Sequence, residues 1–414
     1  MAERVLIVGA GVIGTACAYY LSESGRQVTL IDRGEFGKGC SHANCGFVCP
    51  SHILPLAMPG AVGKALRALF QKNAPLSIKP RLDVSLWSWL YHFARRSNER
   101  DMLEAGQAIQ ALLNSSRCLY DRLFQTEALD AEWETRGLLF VFLSSAAMKH
   151  YAATDELLRN KFGLSAKRYD GKALTDLEPA LKPDLAGGWH YEADAHLRPD
   201  KLLSSWRQVL IERGVTIHEH CEFHRFLRQG NRAEAVGSSC GKLLADSFVL
   251  ATGAWTPQLK LDLGCRIPIQ PGKGYSITMP RPVRCPKIPL IFEEHRVAVT
   301  PMRSGYRLGS IMEFAGYDTT LSPRRLDFLR AGASHYLQEP GAEPTLEEWY
   351  GWRPMTYDGK PIISRSPALT NVYIAAGHNM LGLSMAPATG KLITELLSGQ
   401  PPHISLAPYA ATRF

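Results

Sequence analysis

Three glycines near the start of the chain have the spacing of a dinucleotide-binding turn. Gly9, Gly11 and Gly14 form the pattern G-x-G-x-x-G. In such a turn the first glycine allows a tight bend, the second lets the backbone approach a pyrophosphate, and the third lets a helix pack on a strand. Asp32 follows about 20 residues later, where a carboxylate can accept hydrogen bonds from ribose hydroxyls. The spacing predicts a nucleotide cofactor.

The elements that would position these residues are visible in the sequence. Val5–Val8 is a continuous apolar run, which is typical of a strand buried on both faces. Apolar residues after Gly14 have helical spacing, and a second strand, Gln27–Ile31, ends at Asp32. Strand, turn, helix and strand therefore follow in the order that places a phosphate at the helix N terminus.

Three further segments combine small residues with turns. Ser41, Asn44 and Gly46 form S-x-x-N-x-G, in which short side chains let backbone donors reach a planar ring or a phosphate. A buried strand leads into the turn Ala251–Ala254, and the strand Val372–Ala376 leads into a glycine-rich loop and a helix. Each segment places backbone groups where a strand ends, which favours contact with a cofactor.

Together with G-x-R-P-x-T-x-D-G-x-P at Gly351–Pro361, these motifs resemble the FAD-dependent D-amino-acid oxidase superfamily. The likeness is greatest to the small-subunit type of D-amino-acid dehydrogenase, which includes D-hydroxyproline dehydrogenase-like proteins. It implies a two-domain α/β fold, with a Rossmann-like FAD-binding domain and a substrate domain of β-sheet plus helices. The expected division is FAD-binding for residues 1–80, 195–262 and 346–414, and substrate-binding for residues 81–194, with a helical insertion, and 263–345.

The resemblance also implies noncovalent FAD as the cofactor. His42 is an alternative site for covalent attachment, but its position does not match that of the relatives that use one. The implied cofactor-binding residues are Gly9, Gly11, Val12, Ile13, Gly14, Asp32, Arg33, Ser41, Asn44, Cys45, Gly46, Thr252, Gly253, Gly377, Gly382, Leu383 and Ser384.

Arg353 is the residue that the resemblance assigns to the substrate carboxylate. A planar guanidinium suits this role because two parallel N–H bonds fix orientation as well as charge; a surface ion pair is the alternative role. Ala298 occurs where the amino-acid oxidases have a tyrosine, and Met380 where glycine oxidase has a basic residue. Other residues must then line the pocket, and the candidates are Tyr275, His52, Arg303 and Tyr317.

The implied reaction is oxidative deamination of a D-amino acid, including a cyclic one such as D-proline or cis-4-hydroxy-D-proline, by hydride transfer from Cα to flavin N5. The sequence has no second G-x-G-x-x-G unit, which argues against NAD(P)H. The acceptor would be a quinone, an electron-transfer protein or oxygen. Two alternatives remain: a glycine- or sarcosine-type oxidase, and a non-catalytic FAD subunit of an electron-transfer complex. A silent subunit has no need of Arg353.

The amino-acid composition limits the kinds of molecule that the chain is expected to bind. The chain has 414 residues, 47 of them basic and 39 acidic, for a net charge of +8. The basic residues are scattered, which argues against nucleic acid, and an entrance for anionic ligands explains the excess. The nine cysteines, an odd number, favour a reducing compartment. Cys40, Cys45 and Cys49 lack a C-x-x-C pair, so we expect buried thiols beside the flavin and no metal.

Residues 61 to about 128 have a helical pattern and are predicted to be an insertion. One helix contains Trp87 and Trp89 and ends at Arg95 and Arg96. Packing of its aromatic rings in the core is the preferred interpretation, and seating on a membrane surface is the alternative. The N terminus has no signal-peptide pattern. We therefore expect a cytoplasmic enzyme of amino-acid catabolism. Peripheral attachment to the inner face of the cell membrane and assembly into homo- or hetero-oligomers are left open.

Overall fold

The computed structural model of the protein describes residues 2–69 and 75–414. Residues 70–74, within the predicted helical insertion, lie outside the described part. The strands, in chain order, are β1 Arg4–Val8, β2 Gln27–Ile31, β3 Phe47–Val48, β4 Leu76–Ile78, β5 Leu138–Phe142, β6 Lys167–Asp170, β7 Gly187–Tyr191, β8 Ala195–His196, β9 Thr216–His218, β10 Phe223–Gln229, β11 Arg232–Ser238, β12 Gly241–Leu244, β13 Ser247–Leu250, β14 Ile269–Met279, β15 Leu290–Phe292, β16 Val297–Met302, β17 Gly305–Phe314, β18 Glu347–Thr356, β19 Ile362–Arg365 and β20 Val372–Ala376.

Helices separate many of these strands. The α-helices are α1 Val12–Glu23, α2 Ala61–Leu69, α3 Val84–Arg96, α4 Glu99–Thr126, α5 Ser145–Phe162, α6 Lys172–Leu177, α7 Pro199–Glu212, α8 Lys260–Leu263, α9 Pro323–Ser334 and α10 Gly382–Leu397. Short 3-10 helices span Gly253–Leu259, Ala407–Tyr409 and Ala411–Arg413.

In the described chain, six strands form a sheet in the order β19-β20-β13-β1-β2-β9. β1 pairs in parallel with β13 and β2, and all but its first residue are buried. The predicted order of strand, turn, helix and strand is therefore confirmed. Helices α1 and α10 pack so closely that a Cβ added at Gly390 would overlap the backbone of Ala16. The contact joins the helix that follows β1 to the helix that follows β20.

A second, nine-stranded sheet has the order β18-β14-β17-β16-β15-β5-β7-β6, and β4 pairs with β17. β14 pairs antiparallel with β17, and β17 pairs antiparallel with β16. Two sheets with helices around them confirm the α/β fold class. The expected domain limits stay a prediction.

The predicted helical insertion also contains a strand. β4 pairs in parallel with the end of β17 through Leu76, Ser77 and Ile78, so this part of the chain extends the nine-stranded sheet. Its three residues are too few for a period-2 pattern to be recognised. α3 then packs its buried Leu86 and Trp89 against that sheet. The helical pattern is confirmed by α2, α3 and α4, and β4 lies in the break between α2 and α3.

Candidate active site

A cavity of about 680 Å³ lies between the two sheets. Its lining comes from the N termini of α1 and α10, from the segment after β2, and from β14 and β18. Of the sequence-predicted cofactor residues, Gly14 and Gly377 are outside the lining. Those that line it are Gly9, Gly11, Val12, Ile13, Asp32, Arg33, Ser41, Asn44, Cys45, Gly46, Thr252, Gly253, Gly382, Leu383 and Ser384.

The three glycines of the first turn have different surroundings. Gly9 has φ +107°, and an added Cβ would overlap the carbonyl oxygen of Ala251. A Cβ on Gly14 would overlap the carbonyl oxygen of Gly9, so Gly14 serves helix–strand packing. At Gly11 the nearest atom to an added Cβ is Ser41 Oγ, 3.4 Å away. Gly11 is therefore the glycine at which the backbone is open to the cavity.

Asp32 is fixed by the backbone around it. Its two carboxylate oxygens accept hydrogen bonds from Ala10 N–H at 2.7 Å and Gly34 N–H at 2.9 Å. Each oxygen has a second lone pair free for a further donor such as a hydroxyl group. Beside it, the Arg33 guanidinium lies 3.7 Å from the ring centroid of Trp255. This end of the cavity therefore has an acceptor and a planar cation held in place.

The segment from Ser41 to Gly46 is shaped by its own side chains. Asn44 Nδ2 donates to the Ser41 carbonyl at 2.9 Å, and Asn44 Oδ1 accepts from Gly46 N–H at 2.7 Å. Ser41 Oγ accepts from Val12 N–H at 3.0 Å. Asn44 thus fixes the turn through local hydrogen bonds, and Ser41 ties the turn to the start of α1.

The carbonyls of Ala43, Asn44 and Cys45 are bound by the second sheet, a feature that sequence reasoning missed. The donors are Ser276 Oγ at 2.7 Å, Arg307 Nη1 at 2.9 Å and Thr300 Oγ1 at 2.5 Å, respectively. All three are buried on different strands. Nothing in the local pattern identifies them, because the contacts join residues more than 230 positions apart. They hold this segment at a fixed depth beside the cavity.

The N terminus of α10 forms another wall. No side chain caps this helix, and no acidic residue lies in its first turn, so its free N–H groups leave the end partially positive. Ser384 Oγ donates to the Phe47 carbonyl at 2.9 Å, which ties α10 to β3. Gly377 has φ +74°, and an added Cβ would lie 2.7 Å from Thr356 Cγ2, so its role is in packing.

Arg353 lines the cavity from β18. Its Nη1 donates to the Ile311 carbonyl at 2.6 Å, and Nη2 donates to the Ser310 carbonyl at 3.3 Å. No carboxylate of the described chain lies within ion-pair distance of it. Burial lowers the pKa of the guanidinium, while nearby Cys40 and Cys45 oppose that shift. Since two carbonyls occupy only part of its five N–H donors, the remaining donors can bind an anion.

Backbone strain directs those two carbonyls. The pairing of β14 with β17 shifts register at this point, and Ser310 and Ile311 have φ +136° and +59°. A β-branched residue rarely adopts such a conformation, which costs on the order of 1 to 3 kcal/mol. The bulge turns successive carbonyls toward one guanidinium, so the surrounding structure maintains strain at the place where Arg353 is oriented.

The structure does not bring the Tyr275 hydroxyl into the cavity as a substrate contact. Gly274, Tyr275 and Ser276 all contribute to the lining. Alternation along β14 turns the Tyr275 side chain to the opposite face from its two neighbours, into the core cluster that includes residues of α9. Its hydroxyl donates to Glu313 Oε2 at 2.7 Å. Arg303 is exposed and outside the lining. Tyr317 donates to the Ala254 carbonyl at 2.6 Å, so it supports the cofactor turn from behind.

His52 does line the cavity. Its ring stacks on Phe140 with centroids 5.6 Å apart. Burial, with a smaller effect from Arg296, lowers the pKa of His52 to about 4. The imidazole is therefore neutral near pH 7 and can accept a hydrogen bond, but it adds no charge.

Small residues make room on the cavity face of the second sheet. Ser276 pairs with Gly309, Gly309 with Ala298, and Ala298 with Ile291. Next in this row is Phe140, which pairs with Ile291 and supports His52. The room at Gly309 is taken by Cys45 Sγ, which an added Cβ would overlap at 2.6 Å. Ala298 and Ile291, further along the row, line the cavity itself.

One indole donor in the lining has no acceptor. Trp352 Nε1 is buried and unpaired in the part of the chain that the structure describes, and its ring packs edge-on against Trp255. An unpaired buried donor costs about 1 to 3 kcal/mol. A ligand that fills the cavity and presents an oxygen here would satisfy it.

The three cysteines after β2 line the cavity as thiols. Burial raises the pKa of Cys40 to about 11 and also raises the pKa values of Cys45 and Cys49. Within the described ranges, no three His, Cys, Asp or Glu side chains are grouped so that they could hold a metal ion. No described helix is long and apolar enough to cross a membrane.

Comparison with known proteins gives one family over almost the whole chain. The sequence pattern of the DAO family, described as FAD dependent oxidoreductase, matches residues 4–396. The chain is 32% identical over 421 residues to a D-amino acid dehydrogenase of Granulibacter bethesdensis, covering 99% of both proteins. It is also 32% identical to the D-amino acid dehydrogenase of Paramagnetospirillum magneticum, again with 99% of both covered.

Solved structures share the fold. Glycine oxidase from Geobacillus kaustophilus superimposes with a TM-score of 0.80 at 20% identity over all of both chains. L-proline dehydrogenase from P. horikoshii has a TM-score of 0.73 at 20% identity and covers 100% of this chain and 98% of its own. At these identities the likeness concerns the fold alone.

Proposed function

This chain belongs to the DAO family of FAD dependent oxidoreductases, and we propose that it is a D-amino-acid dehydrogenase. The reaction is oxidation of the Cα–N bond to an imine, which water then hydrolyses. Two relatives named D-amino acid dehydrogenase, 32% identical and covered over 99% of their length, support this reaction. The electron acceptor is not NAD(P); a quinone, an electron-transfer protein and oxygen are the acceptors to test.

The lining of the cavity fits FAD. The N terminus of α1, open at Gly11, would hold the pyrophosphate, and Asp32 would accept the ribose hydroxyls. The positive end of α10 at Gly382 and Leu383 would face the flavin. When bound, FAD accepts the hydride that leaves Cα. We propose that the attachment is noncovalent, because His42 is paired with Glu347 Oε1 at 2.7 Å.

The observation that carries the proposal is the unpaired guanidinium of Arg353 in the cavity. Arg353 is partly buried and has no carboxylate partner among the described residues, and a bound anion would complete such a cation. An amino-acid carboxylate does so with two parallel hydrogen bonds, which also fixes where Cα lies. This feature favours an enzyme over a non-catalytic FAD subunit, since a silent subunit has no use for an unpaired cation.

The row of small residues supports a compact side chain on the substrate. Ala298 adds only a methyl group to the lining, and Ile291 and His52 close the apolar end. D-Alanine and cyclic substrates such as D-proline or cis-4-hydroxy-D-proline match this volume. The neutral imidazole of His52 can accept a hydrogen bond from a substrate hydroxyl or amine.

The test is Arg353→Lys and Arg353→Met, with turnover measured by reduction of an artificial dye with and without oxygen. Lysine retains the charge without the planar fork, and methionine loses both, so kcat/KM should fall in the order Arg, Lys, Met. Loss of a buried charge-assisted pair costs on the order of 2 to 5 kcal/mol, or roughly thirty-fold to several-thousand-fold. FAD should remain bound.

Arg303→Met is the matched control, because Arg303 is an exposed arginine in the turn between β16 and β17 that lies outside the cavity. It should retain wild-type kcat/KM. Full activity in Arg353→Met, or bleaching of the wild-type flavin by amines that lack a carboxylate, would contradict the assignment. The effect of oxygen on turnover separates the dehydrogenase from a glycine- or sarcosine-type oxidase.

A further inference from the structure

Helix α3 is apolar on two faces. Its inner face buries Leu86 and Trp89 against Met312 and Met355, and Trp89 Nε1 donates to the Met355 carbonyl at 3.0 Å. This packing confirms the core interpretation for Trp89 but does not account for the other tryptophan, Trp87, which points to the outside.

The outer face carries large apolar side chains with no cover in the described part of the chain. Val84 is 86% exposed, Trp87 54% and Tyr91 60%, and Leu82, just before the helix, is fully exposed. Val84, Trp87 and Tyr91 follow i, i+3, i+7 spacing, so they form one stripe. Single exposed apolar residues are ordinary, but a stripe of this kind marks an interaction site.

The segment of the chain that contains this stripe is rich in positive charge. Residues 61–100 contain eight lysines and arginines against two acidic residues, which is +6 of the net +8 of the chain. Arg95 continues the stripe by one turn, and its guanidinium lies 5.9 Å from the Tyr91 ring centroid. Arg67, Arg95 and Arg100 form no ion pair with any described residue. Their charge is therefore available to a partner.

We infer that the surface formed by Leu82, Val84, Trp87, Tyr91 and Arg95 binds the face of an anionic lipid bilayer. Tryptophan and tyrosine suit the boundary between headgroups and acyl chains, because each has an apolar body and a polar tip. Arginines beside them reach lipid phosphates. A second copy of the chain is a poorer partner, since twofold pairing would bring two strongly basic surfaces together.

The surface lies directly behind the proposed substrate site. The buried face of α3 contacts Met312, and Met312 Sδ is 3.9 Å from Arg353 Nη1. One layer of side chains therefore separates the lipid-binding surface from the arginine. If the proposed function holds, this placement brings the enzyme to a membrane that holds its acceptor, such as a quinone. Lipid binding itself does not depend on that function.

The test uses the FAD-loaded protein and sedimentation with vesicles of phosphatidylcholine alone or mixed equally with phosphatidylglycerol. Wild-type protein should sediment with the anionic vesicles and be released by high salt. The double variant Trp87→Ser/Tyr91→Ser should bind at least about tenfold more weakly, because its apolar anchor is lost. Arg95→Gln should weaken binding about fivefold, and only to the anionic vesicles.

The matched control is Leu244→Ser/Val283→Ser, which removes two exposed apolar residues far from α3 in sequence. This control should bind like the wild type. All variants should retain FAD and dye-linked activity, so failure of lipid binding is separable from failure of the proposed reaction. The inference is overturned if the wild type binds neither vesicle, if Trp87→Ser/Tyr91→Ser binds unchanged, or if that variant instead abolishes a dimer seen by gel filtration.

Discussion

One methyl group on Gly274 should disable the carboxylate site without unfolding the protein. Gly274 lies on β14 beside Arg353, and an added Cβ would overlap Nη1, Cζ and Nη2 of the guanidinium. The backbone of Gly274 does not have a positive φ, so alanine is tolerated there. The overlapped atoms are the end of a flexible side chain, which moves more easily than the strand. The guanidinium of Arg353 should therefore move, and the strand should stay in place.

The displacement can be estimated from contact distances. Non-bonded heavy atoms need about 3.5 Å, so the guanidinium must retreat by about 1 Å. That shift breaks the bond from Nη1 to the Ile311 carbonyl and misaligns the two donors that a carboxylate requires. Loss of one charge-assisted hydrogen bond costs about 1.5 to 3 kcal/mol, which corresponds to roughly ten- to two-hundred-fold in kcat/KM. The loss should appear mainly as a higher KM.

The assay is dye-linked turnover over a range of D-amino-acid concentrations, together with FAD stoichiometry and thermal unfolding. Gly305→Ala is the matched control. It lies in the same sheet, and its added Cβ would be no closer than 3.5 Å to any neighbour. Wild-type kcat/KM in Gly274→Ala, or an equal loss in Gly305→Ala, would refute the argument that the glycine makes room for Arg353.

Two other predictions concern the cofactor and pH. Acid should release FAD from the wild type. The Gly11→Val variant should purify as apoprotein, because its branched side chain occupies the space through which the pyrophosphate approaches the backbone. Stoichiometric FAD in that variant would contradict the placement of the pyrophosphate at Gly11. Burial raises the pKa of Asp194 to about 7, while hydrogen bonds from Ser51 oppose the shift. The unfolded carboxyl titrates near 3.8, so the free energy of unfolding should fall by up to about 4 kcal/mol as pH rises from about 4 to about 7. The Asp194→Asn variant should not show this loss of unfolding free energy when urea titrations are made across the same pH range. Identical pH profiles for the variant and the wild type would contradict the prediction.

The phosphate turn could be predicted from sequence because its causes are local. Gly9, Gly11 and Gly14 lie within one turn, and each has a role that its neighbours define. Arg353 was identified through the motif around it. The two carbonyls that bind its guanidinium could not be identified, because they come from a bulge in β17. No residue type signals a positive φ at Ile311.

Tyr275 shows why side-chain direction is harder to predict than position. The sequence makes Tyr275 a candidate for the pocket, and its strand β14 does line the cavity. A shift of one residue in a strand exchanges its two faces. Only the pairing of Tyr275 with Ser310 and the bond from Ser276 to the Ala43 carbonyl reveal which face meets the cavity. Both contacts join distant parts of the chain.

The strain at Ser310 and Ile311 can persist only if packing on the far side of β17 keeps the bulge closed. Met312, the next residue, is buried with Trp89 and Met355 in the cluster that α3 completes. Removing that cluster would let the bulge relax, turn its carbonyls away and leave Arg353 without its backbone acceptors. Helix α3 is thus tied to the carboxylate site through packing as well as through its outward face. Attachment of its outer stripe to a bilayer would therefore act on a helix that packs directly beneath the bulge.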